Sequence, residues 1–234
     1  MRKYFIISDI HSQHHMLRQA LLNAGFDMDN DKHHLIIVGD ILDRGKQGNE
    51  TIKFIEELIQ LNRVESVVGN HDQFLIDILN DNIDIQKIEW NIQRNGFGET
   101  LKLAIEKDLD FIIDKKTIKT IVKRFKEQYP IFTKWIVNNP LYLEFNNHVL
   151  VHGFLDFELE DWHNSSKHTC IWERGYNKTI PDSFNKKIIM GHTPNYYISD
   201  GVDDIIYDNK KIMIDGGAAS KRQINVLVLF EDEI

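Results

Sequence analysis

Asp9 and His11 stand two residues apart, directly after the apolar run Tyr4-Phe5-Ile6-Ile7. A loop there can turn a carboxylate and an imidazole toward one point, and that pair suits Mn, Fe or Zn better than Ca. Four further stretches carry groups of the same kind: Gly39-Asp40-Ile41-Leu42-Asp43-Arg44-Gly45, Gly69-Asn70-His71-Asp72, His152-Gly153 and Gly191-His192-Thr193. Asp40 has two carboxylate oxygens with which to bridge two metals, and Arg44 presents a planar fork suited to phosphate oxygens. Asn70 offers a carbonyl oxygen to a metal and its amide NH2 to a phosphate. His71 is then the non-ligating histidine, oriented by Asp43 and placed to protonate a leaving-group oxygen. One D-x-H pair alone is usually just a loop, and a lone histidine is usually a packing residue. Five such stretches in one chain point to phosphoester hydrolysis at a two-metal centre.

Each stretch closes an apolar run that reads as a strand, which is how the fold would bring them together. Strands are expected at Tyr4–Ile7, Leu35–Val38 and Val64–Val68. Between them, a helix capped by Ser12 and ended by Gly25 carries Met16, Leu17, Ala20, Leu21 and Ala24 on one face. A second helix spans Glu50–Leu61, and a short third spans Asp72–Leu79, where the charge of Asp72 favours the helix dipole. This βαβαβα order predicts a mostly parallel sheet with ligands at the carboxyl ends of its strands. Residues 81–138 lose the strand pattern and read as helical, with Trp90, Leu101, Leu103, Ile105, Ile121, Phe125, Phe132 and Trp135 as packing positions. They form either a cap over the site or structural helices covering one sheet face. Strands return at Leu141–Phe145, Val149–His152, Lys187–Met190, Ile205–Tyr207, Ile212–Asp215 and Asn225–Phe230, with a hairpin turn at Tyr207–Lys211. No repeat or Pro-rich linker divides the chain, so residues 1–234 are expected to form one domain with 81–138 as an insertion.

Composition narrows the class. With 234 residues, 42% hydrophobic and 27% charged, the chain is long enough for a sizeable core and ordinary for a globular protein. A net charge of −8 argues against stable sequence-independent nucleic-acid binding, which needs Lys and Arg to displace counterions. The lone Cys170 cannot form an internal disulfide, which fits a reducing compartment. No apolar run approaches the roughly 20 residues needed to cross a bilayer, and the amino-terminal apolar run is too short for a signal peptide. A cytoplasmic protein without membrane attachment is expected; the sequence leaves the oligomeric state open.

The motifs D-x-H, G-D-x-x-D-R-G, G-N-H-[ED], H-G and G-H-T, in that order, make the chain resemble the calcineurin-like metallophosphoesterases. It is most similar to their bacterial phosphoprotein phosphatase group, which includes the symmetrical diadenosine tetraphosphate hydrolases. The likeness runs from Tyr4 to about Phe230 and takes in Asn95–Thr100, Asn139–Tyr142, Trp172-Glu173-Arg174 and Ile214–Ala218. The resemblance implies a four-layer αββα sandwich of two mixed sheets flanked by helices. It implies two divalent metals, Mn first and Fe or Zn next. Asp9, His11 and Asp40 would hold the first metal; Asp40, Asn70, His152 and His192 would hold the second, with His192 the ligand whose side is least defined. Arg44 and Arg174 would clamp the phosphate, and His71 with Asp43 would form the acid pair. Two metals about 3.5–4 Å apart acidify a bridging water into hydroxide near neutral pH, which attacks phosphorus in line. No phosphoenzyme is needed, so Cys170 has no nucleophilic part. The expected substrate is a phosphorylated protein, with a serine/threonine phosphatase as first reading. The second is a symmetrical diadenosine tetraphosphatase acting on a nucleotide, and the third is an inactive binding scaffold. Two positions depart from the pattern: Ser12 stands where Gly is usual, and Asp72 where Glu is frequent. Neither removes a ligand.

Overall fold

A computed structural model of the chain describes residues 1–105 and 113–234. The first half alternates β1 (Lys3–Ile7), α1 (His14–Asn23), β2 (His33–Val38), α2 (Gly48–Gln60), β3 (Val64–Val67) and α3 (Asn70–Leu79). β1, β2 and β3 pair in parallel, as the βαβαβα pattern requires. The last strand, β9 (Leu227–Phe230), returns to lie antiparallel against β1, giving the order β3-β2-β1-β9.

The second sheet joins β4 (Tyr142–Glu144), β5 (His148–Val151), β6 (Lys187–Met190), β7 (Ile206–Asp208) and β8 (Lys211–Met213) in the order β4-β5-β6-β8-β7. β5, β6 and β8 are parallel, while β4 and β7 pair antiparallel at the two edges. Both sheets are therefore mixed.

Side-chain alternation divides the core in two. Phe5, Ile7, Leu35 and Ile37 point to the helical side of the first sheet, where Leu17, Leu21, Ile52, Ile55 and Leu58 from α1 and α2 meet them. Tyr4, Ile6, Ile36 and Val38 point the other way and pack with Leu150, Ile189, Ile212 and Ile214 of the second sheet. Strands buried on both faces carry near-continuous apolar residues, which is why Tyr4–Ile7 of β1 and Leu35–Val38 of β2 read as hydrophobic runs. The result is the expected sandwich of two mixed sheets and flanking helices.

The helical stretch resolves into α4 (Ile85–Asn95), α5 (Phe97–Lys102), α6 (Lys115–Gln128) and α7 (Pro130–Ile136), while 106–112 of that stretch lie outside the described residues. Asp84 and Asp114 cap α4 and α6 through the N–H groups of Lys87 and Thr117, and Pro130 opens α7. Leu101, Ile121, Phe125 and Phe132 are buried, and Leu103, Ile105 and Trp135 are partly so. Trp90 is not a packing position: it is 55% exposed, because the inward face of α4 runs through Ile88, Asn91 and Ile92.

A second correction concerns Ser12. α1 starts at His14 with Gln13 at the cap and no side-chain capping bond, while Ser12 is buried at φ 55° in the loop before it. Gly25 does end α1, at φ 81°. No helix among the described residues is long and apolar enough to cross a membrane.

Candidate metal centre

The loops after β1, β2 and β3 and those after β5 and β6 converge at the carboxyl ends of their strands. Seven of the twelve non-glycine residues with positive φ among the described residues lie in these loops: Asp9, His11, Ser12, Asp40, Asp43, Arg44 and His192. Such backbone strain is held only where surroundings over-determine it, and it concentrates at functional sites. Here Asp72 supplies much of the restraint. From the first turn of α3 its carboxylate accepts the backbone N–H groups of Asp40 at 2.8 Å, Ile41 at 3.0 Å and Gly69 at 2.9 Å.

Asp40 sits at the centre. Its Oδ1 lies 3.5 Å from His152 Nε2, and its Oδ2 lies 3.6 Å from His11 Nε2. One carboxylate thus presents one oxygen to each histidine. Both rings are aimed from behind: His11 Nδ1 donates to the Leu42 carbonyl at 3.1 Å, and His152 Nδ1 to the Val38 carbonyl at 2.9 Å. That fixes the tautomer and leaves each Nε2 lone pair facing the site. Asn70 Oδ1 is 3.1 Å from His152 Nε2, and Asp9 Oδ1 is 4.0 Å from His11 Nε2. Two atoms each bound about 2.1 Å from one octahedral ion lie about 3 Å apart when adjacent and about 4.2 Å when opposite, and these separations fall between those limits.

Two groups of three put ligand atoms within 4.8 Å of one another, Asp9–Asp40–His152 and His11–Asp40–His71, all buried. His71 falls in the second group, but both its nitrogens are already engaged. Nδ1 lies 2.7 Å from Asp43 Oδ2, and Nε2 lies 3.2 Å from Arg44 Nη2.

His192 joins neither group. Its ring lies beside that of His152 with centroids 5.0 Å apart, its backbone N–H donates to Asp9 Oδ2 at 3.0 Å, and its ring Nε2 donates to the Trp172 carbonyl at 3.0 Å. Nδ1 is the nitrogen left to bind a metal. Arg174 stands at the exposed rim, donating to the His192 carbonyl at 3.3 Å and to Thr193 Oγ1 at 3.0 Å.

The electrostatics fit a cationic occupant. Burial, and after it the charges of Asp9 and Asp72, push the Asp40 carboxyl well above the ordinary range. Burial and then Asp9 do the same to Asp215, a further buried carboxyl beside the ligand set. Burial pushes His11 well below the usual imidazole range, reinforced by His71 and Arg44, and pushes His192 down to about 2, reinforced by His152 and Arg174. A buried cluster of carboxylates and neutral imidazoles lacks positive charge, and divalent cations supply it.

Reading motifs alone missed three residues. Asp72 gained only a helix-start role, although it holds the Asp40 loop. Thr100, whose hydroxyl bonds Asp43 in two ways, and the buried Asp215 appeared only as parts of resembling segments. The motif spacing carried no signal for Thr100, which reaches its partner from 57 residues away.

Over 97 residues, 42% of this chain and 32% of the relative, the chain is 32% identical to a symmetrical bis(5'-nucleosyl)-tetraphosphatase of Proteus mirabilis. Over 76 residues, 32% of each protein, it is 36% identical to serine/threonine-protein phosphatase 2 of Salmonella typhimurium. The matched stretches span a third or less of these relatives' length. Among solved structures, a candidate diadenosine tetraphosphatase superposes with a TM-score of 0.61 at 14% identity, covering 100% of this chain and 91% of the other. A cold-active protein-tyrosine phosphatase of a Shewanella species gives 0.61 at 20% identity, covering 99% and 76%. The sequence model of the calcineurin-like phosphoesterases matches residues 2–214. With the site geometry and the two-sheet fold, that match identifies the chain as a member of the calcineurin-like phosphoesterase family.

Proposed function

We propose that residues 1–234 act as one dinuclear-metal phosphoesterase domain, with 81–138 as a helical insertion, that hydrolyses phosphomonoesters, first among them phosphorylated serine or threonine in proteins. The observation that supports this most is the division of Asp40 between two histidines, Oδ1 toward His152 and Oδ2 toward His11. Asp9, His11 and Asp40 would hold one divalent ion; Asp40, Asn70, His152 and His192 the other. The mixed carboxylate, amide and imidazole donors favour Mn, with Fe or Zn next. When bound, two such ions supply an acidified water as nucleophile and offset charge on the phosphoryl oxygens.

The chain's own groups do the rest. Arg44 and Arg174 approach from the exposed side and orient the phosphate through charge-assisted bonds. Asn70 has its NH2 left for a phosphate oxygen. His71 accepts from Arg44 at Nε2, and burial first and then Arg44 and His152 hold its pKa well below the usual imidazole range. A bound phosphate dianion draws the guanidinium away and offsets its charge. The ring then gains its proton as substrate arrives, and Asp43, fixed at Nδ1, steadies the imidazolium that protonates the leaving oxygen.

The names of the relatives favour a second reading, a symmetrical diadenosine tetraphosphatase acting on a nucleotide. The deciding experiment compares kcat/KM on phosphoserine peptide and diadenosine tetraphosphate with Mn supplied, alongside metal analysis of the purified protein. Preference for the peptide supports the first reading and preference for the dinucleotide replaces it. No turnover of either, nor of p-nitrophenyl phosphate, by metal-loaded protein overturns both in favour of a binding scaffold.

A further inference from the structure

Thr100, on α5, stands outside the proposed ligand set and phosphate clamp, yet its hydroxyl bonds Asp43 of the acid pair. We infer that Thr100 is the positioning residue of the Asp43–His71 pair, and that the α4–α5 corner of the helical stretch belongs to the catalytic apparatus. This rests on His71 acting as the general acid.

The Thr100 side chain is buried, and its hydroxyl makes two bonds to one residue. It donates to Asp43 Oδ1 and accepts the Asp43 backbone N–H at 3.1 Å. Asp43 is at φ 70°, in the left-handed region that a residue with a β-carbon occupies only with support. The hydroxyl ties the strained backbone and its carboxylate to a single fixed point. With Oδ1 so occupied, Oδ2 alone faces His71 Nδ1, at 2.7 Å. Branching at Cβ restricts the rotamers of a helical threonine, so the point is rigid.

The same corner holds the neighbouring groups. The Gly96 carbonyl accepts the Arg44 N–H at 3.2 Å, and a β-carbon at Gly96 would lie 2.8 Å from Arg44 Cα and N. Phe97 packs on Phe74 with ring centroids 5.9 Å apart, and Phe74 on His71 at 5.2 Å. Asp43, Arg44 and the His71 ring are thus braced from one five-residue span, Gly96–Thr100. A residue there that only filled space would not need a hydroxyl.

The test uses Thr100→Val, Thr100→Ser and Thr100→Ala beside His71→Ala, assayed as Mn-loaded protein on a phosphoserine peptide and on p-nitrophenyl phosphate. The peptide's alkoxide must be protonated to leave; nitrophenolate need not be. Val and Ala are expected to keep metal content and KM while kcat on the peptide falls about 10- to 100-fold, with a loss of no more than about fivefold on the aryl ester. Ser should recover most of the peptide rate, and His71→Ala should show the same bias more strongly. In metal-free protein, the imidazole proton shared with Asp43, followed by NMR, should stay sharp in the Ser variant and broaden in the Val variant.

Equal losses on both substrates, or none, with the bias intact in His71→Ala, would overturn the role of Thr100 alone. If His71→Ala shows no bias, the acid assignment itself fails. If neither Val nor Ala folds while Ser does, the hydroxyl serves stability and the inference is overturned.

Discussion

The carboxylate of Asp72 accepts the backbone N–H of Asp40 at 2.8 Å, so the residue that presents an oxygen to each of two histidines is itself hung from the first turn of α3. The other two N–H groups on Asp72 belong to Ile41 and Gly69. Asp72→Ala leaves three buried donors without partners, at about 1–3 kcal/mol each. The expected outcome is a loss of several kcal/mol in urea unfolding together with weaker metal retention. An unchanged unfolding midpoint would show that the loop is held in some other way.

Gly69 makes a sharper test because its backbone, at φ −95°, accepts any residue. What excludes a side chain is Asp40: a β-carbon at 69 would lie 2.2 Å from Oδ1 and 2.5 Å from the Asp40 nitrogen. Gly69→Ala should therefore displace the carboxylate, weaken metal binding by about tenfold or more, and leave the circular dichroism spectrum intact. Titration calorimetry with Mn reads the first effect; wild-type affinity in the variant would refute the close approach.

Burial pushes the Asp43 carboxyl up to about 8, against the bond from Thr100 and the charge of Arg44, which lower it. A carboxyl raised in the folded state holds its proton more tightly there than in the unfolded chain. Its contribution to stability is complete below about pH 4 and is lost as pH rises through 8. His192, lowered to about 2, has the opposite sign: its contribution is present above about 6.5 and lost as pH falls. In metal-free protein, Tm of Asp43→Asn minus Tm of wild type should therefore increase between pH 5 and pH 8.5. A flat difference would mean that Asp43 does not carry this proton.

Much of this molecule was legible before its fold was. The apolar runs of β1, β2 and β6 announce themselves, because both faces of each sheet are covered, and the candidate ligands follow at their ends. Lys187–Met190 matches its predicted bounds, and other strands shift by one or two residues where pairing partners run out. The failures have separate causes. Ser12 has the right chemistry for a cap, but the positive φ it adopts against Gly45 and Gln47 removes it from that role. Trp90 is large and apolar, yet the 3.6-residue period of α4 places it outward. Thr100 and Asp72 act on partners 57 and about 31 residues away, through bonds that leave no local pattern.

Asp9, His11, Asp40 and Asn70 extend from the first sheet, whereas His152 and His192 extend from the second. A cation shared among them, as proposed, would close a bridge across the sandwich. The two layers would then be unable to part along their apolar seam without first surrendering ligands. A bridge formed only after both layers are built would act on how slowly the native state opens and hardly on how fast it is reached. In this chain the groups arranged for chemistry would also serve as a latch.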